Sequence, residues 1–87
     1  MEGKIIEVNY SRDLVAFEVN GDYGVDCGIL EILDSSDGFE IDDIITGDLD
    51  NTQAQRILIT NQRTGERIHV CIEDFGMTDS AALEAIM

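Results

Sequence analysis

Apolar residues in this chain recur at every second position over short stretches, and glycine, asparagine and aspartate separate the stretches. Ile6, Val8 and Tyr10 alternate with Glu7 and Asn9. After a polar break at Ser11, Arg12 and Asp13, Val15, Phe17 and Val19 alternate with Ala16 and Glu18. A period of two belongs to strands with one buried face, and two such strands around a short polar break form an antiparallel pair. Residues 1–19 therefore predict a β-hairpin with Ile6, Val8, Tyr10, Val15, Phe17 and Val19 on its apolar faces.

The pattern continues along the chain. Asn20-Gly21-Asp22 predicts a turn, because asparagine and glycine reach positive φ at little cost. Tyr23, Val25, Cys27 and Ile29 share one parity and predict a third strand with that side inward; Ile29, Leu30, Ile32 and Leu33 suit either its buried end or one helical turn. Asp34-Ser35-Ser36-Asp37-Gly38 is a loop by composition. Phe39, Ile41, Ile44, Ile45 and Leu49, around Asp42-Asp43 and Thr46-Gly47-Asp48, predict a fourth strand, followed by a polar connection over residues 48–55. Residues 56–73 predict a further hairpin, with Gly65 placed for the left-handed residue of its loop. Ile68, Val70 and Ile72 point one way in it, and Arg67, His69, Cys71 and Glu73 the other. The tail differs in kind. Thr78, Asp79 and Ser80 are candidates for a helix N-cap, and residues 81–87 favour helix. A helix this short is not stable alone, so it is expected to dock through Leu83, Ile86 and Met87.

The opening stretch resembles the start of cold-shock domains. The shared features are Met1, Gly3, a β-branched Ile5, Val8-Asn9, a basic Arg12 and an apolar run from Leu14. The resemblance covers residues 1–17 and implies an OB-fold barrel that stacks single-stranded nucleic acid on exposed aromatics. This chain departs from the family where that function would lie. Glu7 stands at the tryptophan position, Asp13 at the glycine after the turn, and Leu14 and Ala16 at two phenylalanine positions. A carboxylate in place of a ring removes a stacking face worth ~1–3 kcal/mol per base and repels phosphate. The resemblance thus implies the fold, while its departures argue against the activity.

Charge narrows the partners. Nineteen acidic residues stand against five basic ones, a formal charge of −14. No lysine or arginine occurs from residue 13 to residue 55, where ten and more acids gather. Nucleic-acid binding relies on basic side chains displacing counterions, and anionic membranes attract the same side chains, so both partners are disfavoured. With 44% hydrophobic residues the chain is expected to fold despite its charge. It has no apolar run of about 20 residues and no signal-peptide core at its start, which predicts a cytoplasmic protein with Cys27 and Cys71 as free thiols.

Chemistry-bearing motifs are sparse. His69 and Cys71 share a strand face, but Cys27 falls on the opposite parity and zinc lacks two further ligands. A calcium loop starting at Asp48 would place Asp48, Asp50 and Thr52 as ligands, yet Gln53 and Ile59 occupy its glycine and glutamate positions. Asp74-Phe75-Gly76 shares three letters with a kinase tripeptide, but no other kinase element is present. No glycine-rich phosphate loop occurs. Cys71 lacks an oriented base and an oxyanion site, so no catalytic residue, metal or cofactor is assigned.

The sequence therefore predicts a single all-β domain over residues 1–87. Its expected form is a small five-stranded antiparallel barrel of OB or SH3-like type, with a short helix over residues 78–87 packed on or beside it. The expected function is a non-enzymatic, acidic interaction module. Asp34, Asp37, Glu40, Asp42, Asp43, Asp48 and Asp50 would meet a basic surface on a protein partner. Two alternatives are single-stranded nucleic-acid binding through Tyr10, Arg12, Arg63 and Arg67, and imitation of nucleic acid in the basic cleft of another protein.

Overall fold

The alternating stretches form six strands in the computed structural model, which describes residues 1–34 and 38–87. They are β1 (Glu2–Asn9), β2 (Leu14–Gly21), β3 (Gly24–Ile32), β4 (Ile44–Thr46), β5 (Ile57–Asn61) and β6 (Arg67–Met77), followed by helix α1 (Asp79–Ala85). They close into a barrel in the order β1-β2-β3-β6-β5-β4, and every neighbouring pair is antiparallel. The all-β barrel with a C-terminal helix is the predicted fold, consistent with an OB-like barrel, but it has six strands rather than five. β4 is the fourth strand expected around Ile44 and Ile45. Although only three residues long, it closes the barrel because Ile45 pairs with Gly3 on one side and Asn61 on the other.

A bulge in β1 changes which residues face inward. Ile5 pairs with Phe17 and Glu7 with Ala16, so Ile6 is the extra residue between them. One added residue reverses the side-chain parity beyond it. Ile5 and Val8 consequently enter the core, while the expected inward residue Ile6 turns to the outer surface.

The barrel interior holds Ile5, Val15, Phe17, Leu30, Ile45 and Ile68 among its fully buried residues. Gly28 is required where the Phe17 ring crosses β3, since a Cβ there would lie 2.7 Å from the ring and 2.7 Å from the Asp74 carbonyl. Val70 and Ile72 point inward as predicted.

A second, smaller cluster lies outside the barrel. Ala16, Cys27, Ala82 and Ile86 are buried together, with Ile6, Leu14, Ile29 and Met77 around them. Helix α1 therefore covers the outer face of β2 and β3, and both faces of these strands are buried at mid-length. This corrects two expectations. Cys27 and Ile29 do share a side, but it is the outer side beneath the helix, while Tyr23 and Val25 on the same parity lie beyond the helix and are exposed. The helix docks through Ala82 and Ile86, with Leu83 half-buried and Met87 exposed. Thr78 caps it, its hydroxyl accepting from the Ala81 N–H at 3.2 Å. The turn between β2 and β3 is Asp22-Tyr23, because Gly21 and Gly24 still pair across it.

Candidate functional site

The acidic residues singled out by the sequence lie in several places, and two of them are held by the protein's own donors. Asp43 sits just before β4 with its side chain 4% exposed. Its carboxylate accepts from Arg63 Nε at 2.7 Å and Nη2 at 3.1 Å, from Asn61 Nδ2 at 2.9 Å and from the Glu40 N–H at 2.8 Å. Burial opposes its ionisation, but these donors outweigh it and hold the carboxyl below the usual carboxylate range. Arg63 also reaches the Gly38 carbonyl at 3.3 Å, and the Tyr10 hydroxyl donates to the Phe39 carbonyl. The group clamps residues 38–43 over one end of the barrel.

Asp34 follows β3 and accepts from the His69 N–H at 2.9 Å; its contact with the His69 ring Nδ1 is 2.7 Å. The backbone N–H, then the ring, lower its carboxyl from the ordinary value. Glu40 and Asp42 are exposed at the start of β4, where Arg63 lies 3.4 Å from Glu40 and Lys4 3.9 Å from Asp42. Asp48 and Asp50 are exposed beyond the other end of β4. The strand β4 separates the two acidic pairs along the chain. Asp37 lies outside the described residues.

The four residues of the nucleic-acid alternative are mostly engaged within the fold. Tyr10 and Arg63 meet at residues 38–40 in the clamp. Arg12 donates to the backbone oxygens of Ala85 at 3.3 Å and Met87 at 2.6 Å, which places a cation at the carboxyl end of α1. Arg67 begins β6 opposite Thr60 and is exposed.

The two cysteines are free thiols. Burial pushes the Cys71 thiol up, and the charge of Glu73 adds to it; burial does the same for Cys27, with Glu18, Asp79 and Asp26 contributing. Both are therefore held as neutral thiols at neutral pH, the opposite of an activated nucleophile. Among the described residues no three His, Cys, Asp or Glu side chains are grouped to hold a metal ion. No helix among them is long and apolar enough to cross a membrane.

One exposed feature was not legible as such in the sequence. The β1–β2 register ends at Lys4 and Glu18, and the β3–β6 register ends at Cys27 and Met77. Residues 20–21 and 24–25 therefore pair only with each other, as a two-stranded ribbon that extends past the barrel, while Val19, opposite Asp26, still packs on the barrel core. Beside it a cleft of about 560 Å³ opens between residues 1–4 and 18–21. Tyr23, expected on an inward strand, sits in the ribbon's turn at 103% relative exposure. The available signal was the spacing of Gly21 and Gly24, which brackets a two-residue turn.

Fold and surface together define a small acidic β-barrel with a structural carboxylate clamp and a projecting hairpin. Comparison of the chain with protein-family models, curated proteins and solved structures gave no match.

Proposed function

We propose that the protein is a small non-enzymatic interaction module that binds a basic surface on a protein partner. The observation that carries this reading is the use of its few cations. Lys4 pairs with Glu18 and Asp42, Arg63 with Asp43 and Glu40, and Arg12 with the helix end. Glu40, Asp42, Asp48 and Asp50 remain exposed, with surface ion pairs worth no more than about 1 kcal/mol where they exist at all. A large negative excess thus faces solvent, and a basic surface is its electrostatic complement. The free thiols suit a reducing compartment, which supports a cytoplasmic setting.

Single-stranded nucleic-acid binding is the second reading, and one observation favours it. Asp13 adopts φ 55°, a left-handed conformation suited to the glycine that cold-shock domains carry at this place. This backbone angle supports the resemblance of the first hairpin to that family, whose stacking aromatics the chain does not carry.

Amide shift titrations of the isotopically labelled protein separate the two. A lysine-rich peptide at about 10 mM salt, where the Debye length is about 30 Å, is expected to shift the exposed acidic positions, and the binding is expected to fade as salt rises. A pool of short single-stranded DNA and RNA is expected to leave the spectrum unchanged. Nucleic-acid shifts clustered on residues 8–17 and 63–69, or peptide binding indifferent to salt, would overturn the reading.

A further inference from the structure

The chain has five aromatic residues, and four have evident work inside the fold. Phe17 and Phe39 are buried in the core, Phe75 stacks on Phe17 with ring centroids 6.3 Å apart, and Tyr10 donates to the Phe39 carbonyl. Tyr23 is the exception. Every residue from 20 to 26 is exposed, and Tyr23 stands at their centre with Val25, itself 53% exposed, two positions on.

Turn chemistry does not explain a tyrosine here. Neither Asp22 nor Tyr23 takes a positive φ, and Gly24 at φ 138° supplies the unusual backbone angle that this turn needs. A small polar residue would serve the turn equally well. A fully exposed tyrosine instead offers a large, rigid, amphipathic contact surface that loses little conformational entropy on binding.

The surroundings specify what it would contact. Asp22 and Asp26 flank Tyr23 in sequence, and Glu18, Thr78 and Asp79 line a shallow depression with Val25. The cation paired with this region, Lys4, lies 3.4 Å from Glu18. An apolar centre with an acidic surround is complementary to an apolar pocket with a basic rim.

We infer that the tip of the β2–β3 ribbon, centred on Tyr23, is the contact by which this protein engages a basic protein partner, with Tyr23 and Val25 entering an apolar pocket whose lysine and arginine rim meets Asp22 and Asp26. The inference rests on the interaction-module reading and gives that reading a location. Nucleic acid, an anionic membrane and a second copy of this chain would each bring negative charge against the same carboxylates.

Selection from a random peptide library on the full chain, against a Tyr23→Ser chain as counter-selection, provides the test. Enriched peptides are expected to carry lysine or arginine beside an apolar residue. Titrated into the labelled protein, such a peptide shifts residues 19–26; Tyr23→Ser weakens it by about tenfold or more. Asp22→Asn with Asp26→Asn weakens it less and flattens its salt dependence, while Asp48→Asn with Asp50→Asn leaves it unchanged. All of these positions are exposed, so the variants keep the fold. Basic peptides that bind with salt dependence but shift residues 40–50 and ignore Tyr23→Ser would overturn the ribbon site and leave the module reading standing. Enrichment of no basic peptide overturns both, as would equal shifts of residues 19–26 by single-stranded DNA, by anionic vesicles or on self-association.

Discussion

Asp43 is one of seven carboxylates that the sequence marks as equivalent, and its neighbours make it different in kind. Asn61, itself fully buried, directs its amide onto the same oxygen that Arg63 Nη2 and the Glu40 N–H use. Asp43→Ala leaves these donors without an acceptor, and we expect a loss of about 2–3 kcal/mol in urea unfolding at pH 7. The pH dependence has a definite sign. The folded carboxyl titrates below its unfolded value of about 3.9, so its stabilisation is present above that value and is lost as pH falls through the folded one. The gap between wild type and variant is therefore expected to narrow below about pH 4; a gap constant down to acid unfolding would exclude a role for the charge. Nothing in the one-dimensional run Asp42-Asp43 separates these two residues. In the barrel, Asp42 takes φ 76° and faces solvent while Asp43 turns into the clamp.

Helix α1 has seven residues, too few to persist without tertiary contacts. Its stability comes from Thr78 at the amino end, Arg12 at the carboxyl end, and Ala82 and Ile86 pressed on Ala16 and Cys27. Thr78→Ala is expected to cost about 1 kcal/mol of local stability and to raise the opening of this lid about fivefold. The alkylation rate of Cys27 reads this directly, with Cys71 on β6 as an internal reference whose rate stays constant. Equal rates for Cys27 in both proteins would show that the helix opens only with the whole barrel. The N-cap and the helix-favouring tail were legible in sequence because both are local. Of the docking residues Ile86 was legible but Ala82 was not, because the face they meet belongs to strands more than fifty positions earlier.

At the scale of the molecule the charge governs. Principal extents of 32 × 25 × 25 Å are comparable to the Debye length at about 10 mM salt, about 30 Å, so carboxylates across the molecule then feel one another. At about 0.1 M the length falls to about 10 Å and only neighbours interact. With a net charge of −14 the compact state is self-repelling, and we expect the melting temperature to rise by about 4–8 °C between these conditions, equivalent to about 1 kcal/mol. No rise, or a fall, would mean that the ion pairs of Lys4 and Arg63 contribute more than the repulsion takes away. The excess of acid is read from composition; its clustering on a surface depends on how the strands are ordered.

The sequence by itself determined the strands, the hairpin over residues 56–73, the capped tail and the sign of the surface, because each follows from spacing or composition within a few residues. The inward face of β6 followed from spacing, with Val70 and Ile72 buried, and only the tertiary structure decided the faces of β1 beyond its bulge and the second burial of β2 and β3. A single bulge at Ile6 changes the parity of β1, and the helix turns the outer face of β2 and β3 into a second buried surface. Both depend on pairings between distant parts of the chain, which a local alternating pattern does not record. The tip of the ribbon was hidden for the same reason: Tyr23 continues the parity of Cys27 and Ile29, but the helix that covers those two residues ends before it reaches the turn.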